Sequence, residues 1–215
     1  MDSVIIFANG EPITGTAVEA VLASPAYVIA ADGGTRLARL ANHHVDLLIG
    51  DMDSMSPTDW AYIEQQSCDV RRFPAEKNET DLELALIAAV EQNPKSIWII
   101  GATGGRVDQT IANIYLLNLP ILANVPVYIV AGEQTSYLLA AGTHEITGHA
   151  GDTVSLIPLG GDVLGISTQG LQYQLTNETL MYGPARGVSN VIQSSPVQVS
   201  FAQGQVLVVH TVGRA

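Results

Sequence analysis

Short apolar runs alternate with helical patterns through the first half of this chain, and then the helices stop. Val4–Phe7, Tyr27–Ala31, Asp46–Ile49, Val70–Phe73, Ser96–Ile100 and Val127–Val130 read as strands. Between them, Thr16–Leu22, Thr35–Ala41, a segment opened by Pro57 and running through Asp59–Gln65, Thr80 to about Gln92, and Asp108–Leu117 read as helices. Pro57 suits a first helical turn, and Thr80 with Glu83 has the spacing of a capping box. Strands apolar on both faces, each followed by a helix, predict a mostly parallel sheet covered on both sides. From about Gln134 onward Gly, Thr and Pro punctuate short alternating runs at Thr153–Ile157, Val163–Ile166, Thr179–Tyr182, Val197–Phe201 and Gln205–His210. That rhythm predicts an all-β sandwich or small barrel. The expected fold is therefore α/β, with a domain over residues 1–132 and an all-β sandwich domain over residues 133–215.

Ligands of parallel sheets bind beyond the carboxyl ends of the strands. Five aspartates lie at or just after strand ends: Asp32 in Ala31-Asp32-Gly33-Gly34, Asp51 and Asp53 in Gly50-Asp51-Met52-Asp53-Ser54, Asp81, and Asp108. If residues 51–53 are extended, both carboxylates point to one side. At about 5 Å and an effective dielectric near 20 they repel by roughly 3 kcal/mol, which a bound Mg²⁺ removes. Mg²⁺ takes hard oxygen ligands and shares them with substrate phosphates. The alternative is a polar turn in which Asp53 or Ser54 caps the next segment. Gly101-Ala102-Thr103-Gly104-Gly105-Arg106 stands between a strand and a helix, where a Gly-rich backbone and a helix N-terminus accept anions. It is neither a Walker loop nor a dinucleotide fingerprint. Arg106 adds a guanidinium able to clamp phosphate oxygens, with Asp108 either orienting it or capping the helix. Lys77, one of two lysines, precedes Asp81 by four residues and can offset phosphate charge.

Composition excludes other classes. A net charge of −12 with 9 Lys+Arg argues against nucleic acid as a partner. A hydrophobic fraction of 47% with 14% charged residues fits a folded chain with a substantial core. Cys68 is the only cysteine, so neither an internal disulfide nor a thiolate zinc site is expected. The five histidines form no metal-ligand pattern. The absence of a signal-peptide pattern and of an apolar run long enough for a membrane span points to a cytoplasmic protein with no membrane partner.

Taken in order, the motifs resemble those of the thiamine pyrophosphokinase family. The matching stretches are Asp32-Gly33-Gly34, Gly50-Asp51-Met52-Asp53-Ser54, Lys77 to Asp81, and Gly101 to Asp108 with Asn113 following. The second half adds Gly170-Leu171-Gln172-Tyr173 and Gly187-Val188-Ser189-Asn190, so the resemblance spans essentially the whole chain. It implies a catalytic α/β domain and a thiamine-binding β-sandwich domain. It also implies a homodimer whose active site is completed across the interface, and transfer of pyrophosphate from Mg-ATP to thiamine with release of AMP. Asp51, Asp53 and Asp81 then stand as Mg²⁺ ligands, and Asp32, Arg106 and Asp108 as phosphate- or metal-facing partners. Gly33, Gly34, Lys77, Asn78, Thr80, Gly104 and Gly105 fall in the segments that receive ATP, and Tyr173, Ser189 and Asn190 in the segment that receives the thiamine ring. Asn78 stands where many relatives carry Asp, Gln109 where many bacterial relatives carry His, and Tyr173 where some carry Trp. Two other readings share these motifs: a pyrophosphokinase for another acceptor such as a 6-hydroxymethylpterin, and a non-catalytic thiamine or nucleotide sensor.

Overall fold

A computed structural model describes residues 2–12 and 14–215. The chain divides into two compact units, Met1–Gly132 and Glu133–Ala215.

Among the described residues, the first unit is built on six strands. In chain order it runs β1 (Ser3–Phe7), α1 (Thr16–Leu22), β2 (Tyr27–Ala31), α2 (Thr35–Leu40), β3 (Leu47–Gly50), α3 (Pro57–Glu64), β4 (Asp69–Arg72), α4 (Asp81–Glu91), β5 (Ser96–Ile100), α5 (Val107–Leu116) and β6 (Val127–Ala131). Its strands lie in the order β6-β5-β1-β2-β3-β4 and are all parallel. Alternation along β1 sends Ile5 and Phe7 into a cluster with Val18 and Val21 of α1, Leu37 and Ala38 of α2 and Ile63 of α3. Val4 and Ile6 point to the other face, where α4 packs against β1, β2 and β3. Full burial of such side chains stabilises the fold by roughly 1.5–3 kcal/mol each. Only β4, at the sheet edge, is exposed throughout its length.

Local chemistry sets the helix starts. Ser56, not Asp53 or Ser54, caps α3: its hydroxyl accepts from Asp59 N–H at 3.2 Å while the Asp59 carboxylate accepts from Ser56 N–H at 3.3 Å. The same buried carboxylate accepts from Arg39 Nε at 2.8 Å, tying α2 to α3. At α4, Thr80 Oγ1 accepts from Glu83 N–H at 3.2 Å, one half of the expected capping box.

The second unit is strand-rich, with β7 (Gln134–Ile146), β8 (Thr153–Pro158), β9 (Val163–Gln169), β10 (Glu178–Leu180), β11 (Asn190–Val191) and β12 (Val197–Thr211). The two separate strands expected at Val197–Phe201 and Gln205–His210 are one strand, with a register shift between Phe201 and Gln205. Residues 202–204 read in sequence as a turn, yet they bridge two ladder segments. Likewise β7 occupies Gln134–Ile146, a stretch for which no strand was expected. Along one edge β12 pairs with β7 throughout; along the other it pairs first with β9, then with β8. Ile146, Val154, Leu156, Val163, Ile166 and Phe201 meet in the core that results.

Asp152 locks this unit beside that core. Its Oδ1 accepts from Gly213 N–H at 2.7 Å, and its Oδ2 from His149 N–H at 2.8 Å and lies 2.9 Å from His210 Nε2. Burial pushes its carboxyl up, but these donors outweigh burial and hold it below the ordinary carboxylate range. A folded-state pKa below the unfolded one contributes stability that is complete above the unfolded value and is lost as pH falls through the folded value. Asp152→Ala should therefore destabilise the protein by about 3 kcal/mol in denaturant titrations at neutral pH. That deficit should shrink on acidification toward the depressed pKa, and a constant deficit would refute the assignment.

Candidate functional site

In the first unit the chain leaves β1 in one direction to build β2, β3 and β4, and returns on the other side with β5 and β6. The strand order reverses between β1 and β5, and a crevice opens beyond their carboxyl ends. The cavity there has a volume of about 600 Å³. Its walls come from the loop after β1 (Asn9, Gly10, Glu11), the turn after β2 (Asp32), the loop after β3 (Asp51, Asp53, Ser54), the start of α4, and the Gly-rich loop after β5.

Asp32 and the Asp51–Asp53 loop approach because β2 and β3 are neighbours, with Ala31 opposite Ile49. One carboxylate oxygen from each of Asp32, Asp51 and Asp53 lies within 4.8 Å of the others. The 51–53 segment is a turn rather than an extended stretch: Met52 has φ 69°, its side chain buried in the core, and Asp53 N–H donates to Asp51 Oδ1 at 3.1 Å. That backbone donor, together with Lys77, outweighs burial and holds the Asp51 carboxyl below its ordinary range. Asp32 has φ 46° and is buried, and its Oδ1 has no hydrogen-bond partner among the described residues. At an effective dielectric near 20, each pair of charges at this spacing repels by about 3 kcal/mol. Three hard oxygens in this arrangement, drawn from carboxylates of which one is buried with an unpartnered oxygen, fit a small divalent cation, whose octahedral ligands stand about 3–4 Å apart.

Asp81, the third acid of the set that the sequence points to, is not in this group of three, although its Oδ1, like that of Asp32, is buried. It pairs with Lys77 Nζ at 3.0 Å, and Lys77 also reaches Asp51 Oδ2 at 3.3 Å. Lys77 is thus not a solvated surface lysine but a largely covered counter-charge between two acids; burial lowers its pKa, and the two carboxylates more than restore it. Burial pushes the Asp81 carboxyl up, aided by the charges of Asp51 and Asp32 and only partly opposed by Lys77.

Of the residues expected to face phosphate, Asp32, Lys77, Thr80, Gly104, Gly105 and Arg106 line the cavity. Gly33, Gly34, Asn78 and Asp108 are not in its wall. The two glycines are buried, and a Cβ at either would overlap Asn9 or the Phe7 carbonyl, so their part is to let α2 start hard against β1. Asp108 accepts from Arg106 Nε at 3.2 Å and from its Nη2, orienting the guanidinium and drawing its own carboxyl down. The sequence reading missed the loop after β1 and Arg36. Gly10, three residues beyond an apolar strand, was the available signal, related to Gly50 and Gly101 at the ends of theirs.

Residues 18–129 match the family model "Thiamin pyrophosphokinase, catalytic domain", and residues 143–206 match "Thiamin pyrophosphokinase, vitamin B1 binding domain". The chain belongs to the thiamine pyrophosphokinase family. It is 30% identical to the thiamine pyrophosphokinase of Bacillus subtilis (strain 168) over 75% of this chain and 76% of that protein. The crystal structure of thiamine pyrophosphokinase from Bacillus subtilis superposes with a TM-score of 0.88 at 26% identity, covering 98% of this chain and 99% of that one. The thiamin pyrophosphokinase from Geobacillus thermodenitrificans gives 0.84 at 28% identity, covering 98% and 97%.

The residues that the family resemblance assigns to thiamine lie in the second unit. Asn190 Oδ1 accepts from Tyr173 N–H at 3.0 Å and Asn190 Nδ2 donates to Tyr173 O at 2.6 Å, so one side chain fixes the Tyr173 backbone. Ser189 N–H donates to Ser155 Oγ at 3.0 Å with φ 58°. The Tyr173 ring is left 67% exposed, available for stacking. Cys68 has no such role: burial pushes its thiol up to about 11, leaving it protonated at neutral pH.

Gly50 is the pivot of the acidic cluster. It has φ 144°, and a Cβ there would stand 3.0 Å from both Asp32 Cβ and Asp81 Oδ1. Gly50→Ala should cost about 2 kcal/mol of stability from backbone strain. It should also weaken Mn²⁺ affinity, read by electron paramagnetic resonance, at least about tenfold. Unchanged Mn²⁺ affinity would show that the spacing of these carboxylates is not what binds the ion.

Proposed function

We propose that this chain is a cytoplasmic, homodimeric thiamine diphosphokinase that transfers the pyrophosphoryl group of Mg-ATP to the hydroxyethyl oxygen of thiamine, giving thiamine diphosphate and AMP. The observation that carries this reading is the group of Asp32, Asp51 and Asp53 oxygens within 4.8 Å of one another, at the carboxyl end of a parallel sheet in a chain of this family. Such a group calls for a divalent cation, and a cavity walled by it and a Gly-rich loop suits a polyphosphate.

Asp32, Asp51 and Asp53 would hold the Mg²⁺. When bound, the ion supplies positive charge against the phosphate oxygens, including the charge that builds on departing AMP. The rest falls to the protein's own groups. Lys77 keeps Asp51 and Asp81 from repelling each other and adds a cation to the wall. The loop from Gly101 to Gly105 brings its backbone up to the phosphates, and Arg106, held by Asp108, stands at the rim. The thiamine hydroxyl attacks the β-phosphorus in line and releases its proton to solvent, the bond from the β-phosphorus to the oxygen shared with the α-phosphate breaks, and AMP leaves carrying that oxygen. Such transfers are governed by positioning and electrostatics more than by covalent participation of the protein. Tyr173, positioned by Asn190, offers a face to the cationic ring of thiamine. Exposed Tyr173, Met181, Tyr182 and Val188 on the second unit support a second copy covering this surface and completing the ring site.

Incubation of the purified protein with Mg-ATP and thiamine should yield AMP and thiamine diphosphate in equal amounts by chromatography. ADP with thiamine monophosphate would overturn the reaction; no product with thiamine still bound would turn the reading into a sensor. Asp53→Asn should lower kcat by about 10²–10⁴-fold, equivalent to roughly 3–5 kcal/mol of transition-state stabilisation. Tyr173→Ala should act mainly on the KM for thiamine, and an unchanged KM would remove Tyr173 from the ring site.

A further inference from the structure

Three cationic side chains line the cavity: Arg36, Lys77 and Arg106. Two are committed. Lys77 lies between Asp51 and Asp81, at 3.3 Å and 3.0 Å, and Arg106 is bound at Nε and Nη2 by Asp108. Arg36, in the first turn of α2, has no carboxylate partner among the described residues. Its Nη2 donates to the Gly10 carbonyl at 2.9 Å, which fixes the guanidinium in the wall and leaves most of its five N–H donors uncommitted. The loop it grips is tied in turn to the Gly-rich loop, since Glu11 N–H donates to the Thr103 carbonyl at 3.0 Å. Arg36 is also half-buried, whereas Arg106 is exposed. A guanidinium screened from water and anchored at one corner forms stronger charge-assisted bonds to phosphate than a solvated one.

We propose that Arg36 is a further substrate-binding residue, its free N–H groups contacting the phosphate chain of the nucleotide while the Gly10 bond holds it in place. Arg36 can play this part only if the cavity takes a nucleotide, as proposed above. Its charge then answers the phosphates directly, and the loop after β1 becomes part of the nucleotide site through it.

Calorimetry of the unmodified protein and of Arg36→Met and Arg36→Lys, each with ATP and with adenosine in the presence of Mg²⁺, tests this. Arg36→Met should lose about 10- to 100-fold in ATP affinity, as expected for hydrogen bonds to a charged group. Adenosine affinity should hold within about threefold, because adenosine carries no phosphate for the guanidinium to meet. Arg36→Lys should recover part of the loss, since it keeps the charge without the fork. Equal weakening toward ATP and adenosine would reduce Arg36 to a loop support and overturn the proposal, as would unchanged ATP affinity. If Arg36→Met melts early, Arg36→Gln, which retains an N–H donor for Gly10, carries the same comparison. Failure of the unmodified protein to bind either ligand would overturn the nucleotide reading itself, a result separate from any seen only in the variants.

Discussion

Mutual repulsion among Asp32, Asp51 and Asp53 is the constraint that the rest of the first unit serves. Left alone, three like charges at this spacing would spread apart. They are held because each sits on a backbone that cannot yield. Asp32 follows a strand buried from Val28 to Ala31, Met52 pins the turn between the other two into the core, and Asp53 N–H grips Asp51. The parallel ladder of β2 and β3 sets the distance between the two loops. Lys77 offsets part of the charge from one side, but none of its contacts reaches Asp32 or Asp53.

This arrangement is a stored electrostatic cost, and it explains why the site is built from rigid elements. A flexible loop would relax the carboxylates and lose the preorganisation that the proposed cation would exploit. The non-glycine residues at φ 46° and 69° belong to the same pattern, in which local strain is tolerated because packing overdetermines the backbone.

Much of this was legible in the residues. Period and punctuation gave the strands and helices of the first unit, and the aspartates at strand ends marked the crevice. What stayed hidden was adjacency. Nothing in the order of the chain says that Asp32 lies beside Asp51 and Asp53 while Asp81 turns to Lys77; that follows from β2 lying next to β3 and from Asp81 heading a helix. Arg36 was hidden for a different reason, since its value lies in what fails to pair with it. In the second unit, Gly204 and its neighbours resemble a turn, and only the ladders on both edges show that β12 continues through them.

The long pairing of β7 with β12 has a consequence for how the chain comes into being. The side chains of Gln134 and Thr211 meet across 77 residues. The first unit finds most of its strand partners earlier and can close while synthesis continues. The second must hold β7 unpaired with β12 until the last strand has left the ribosome, and non-local closure of that kind is slow. During that interval an unpaired strand edge is open to other chains, so the window between emergence of β7 and arrival of β12 exposes this protein to aggregation and to chaperones.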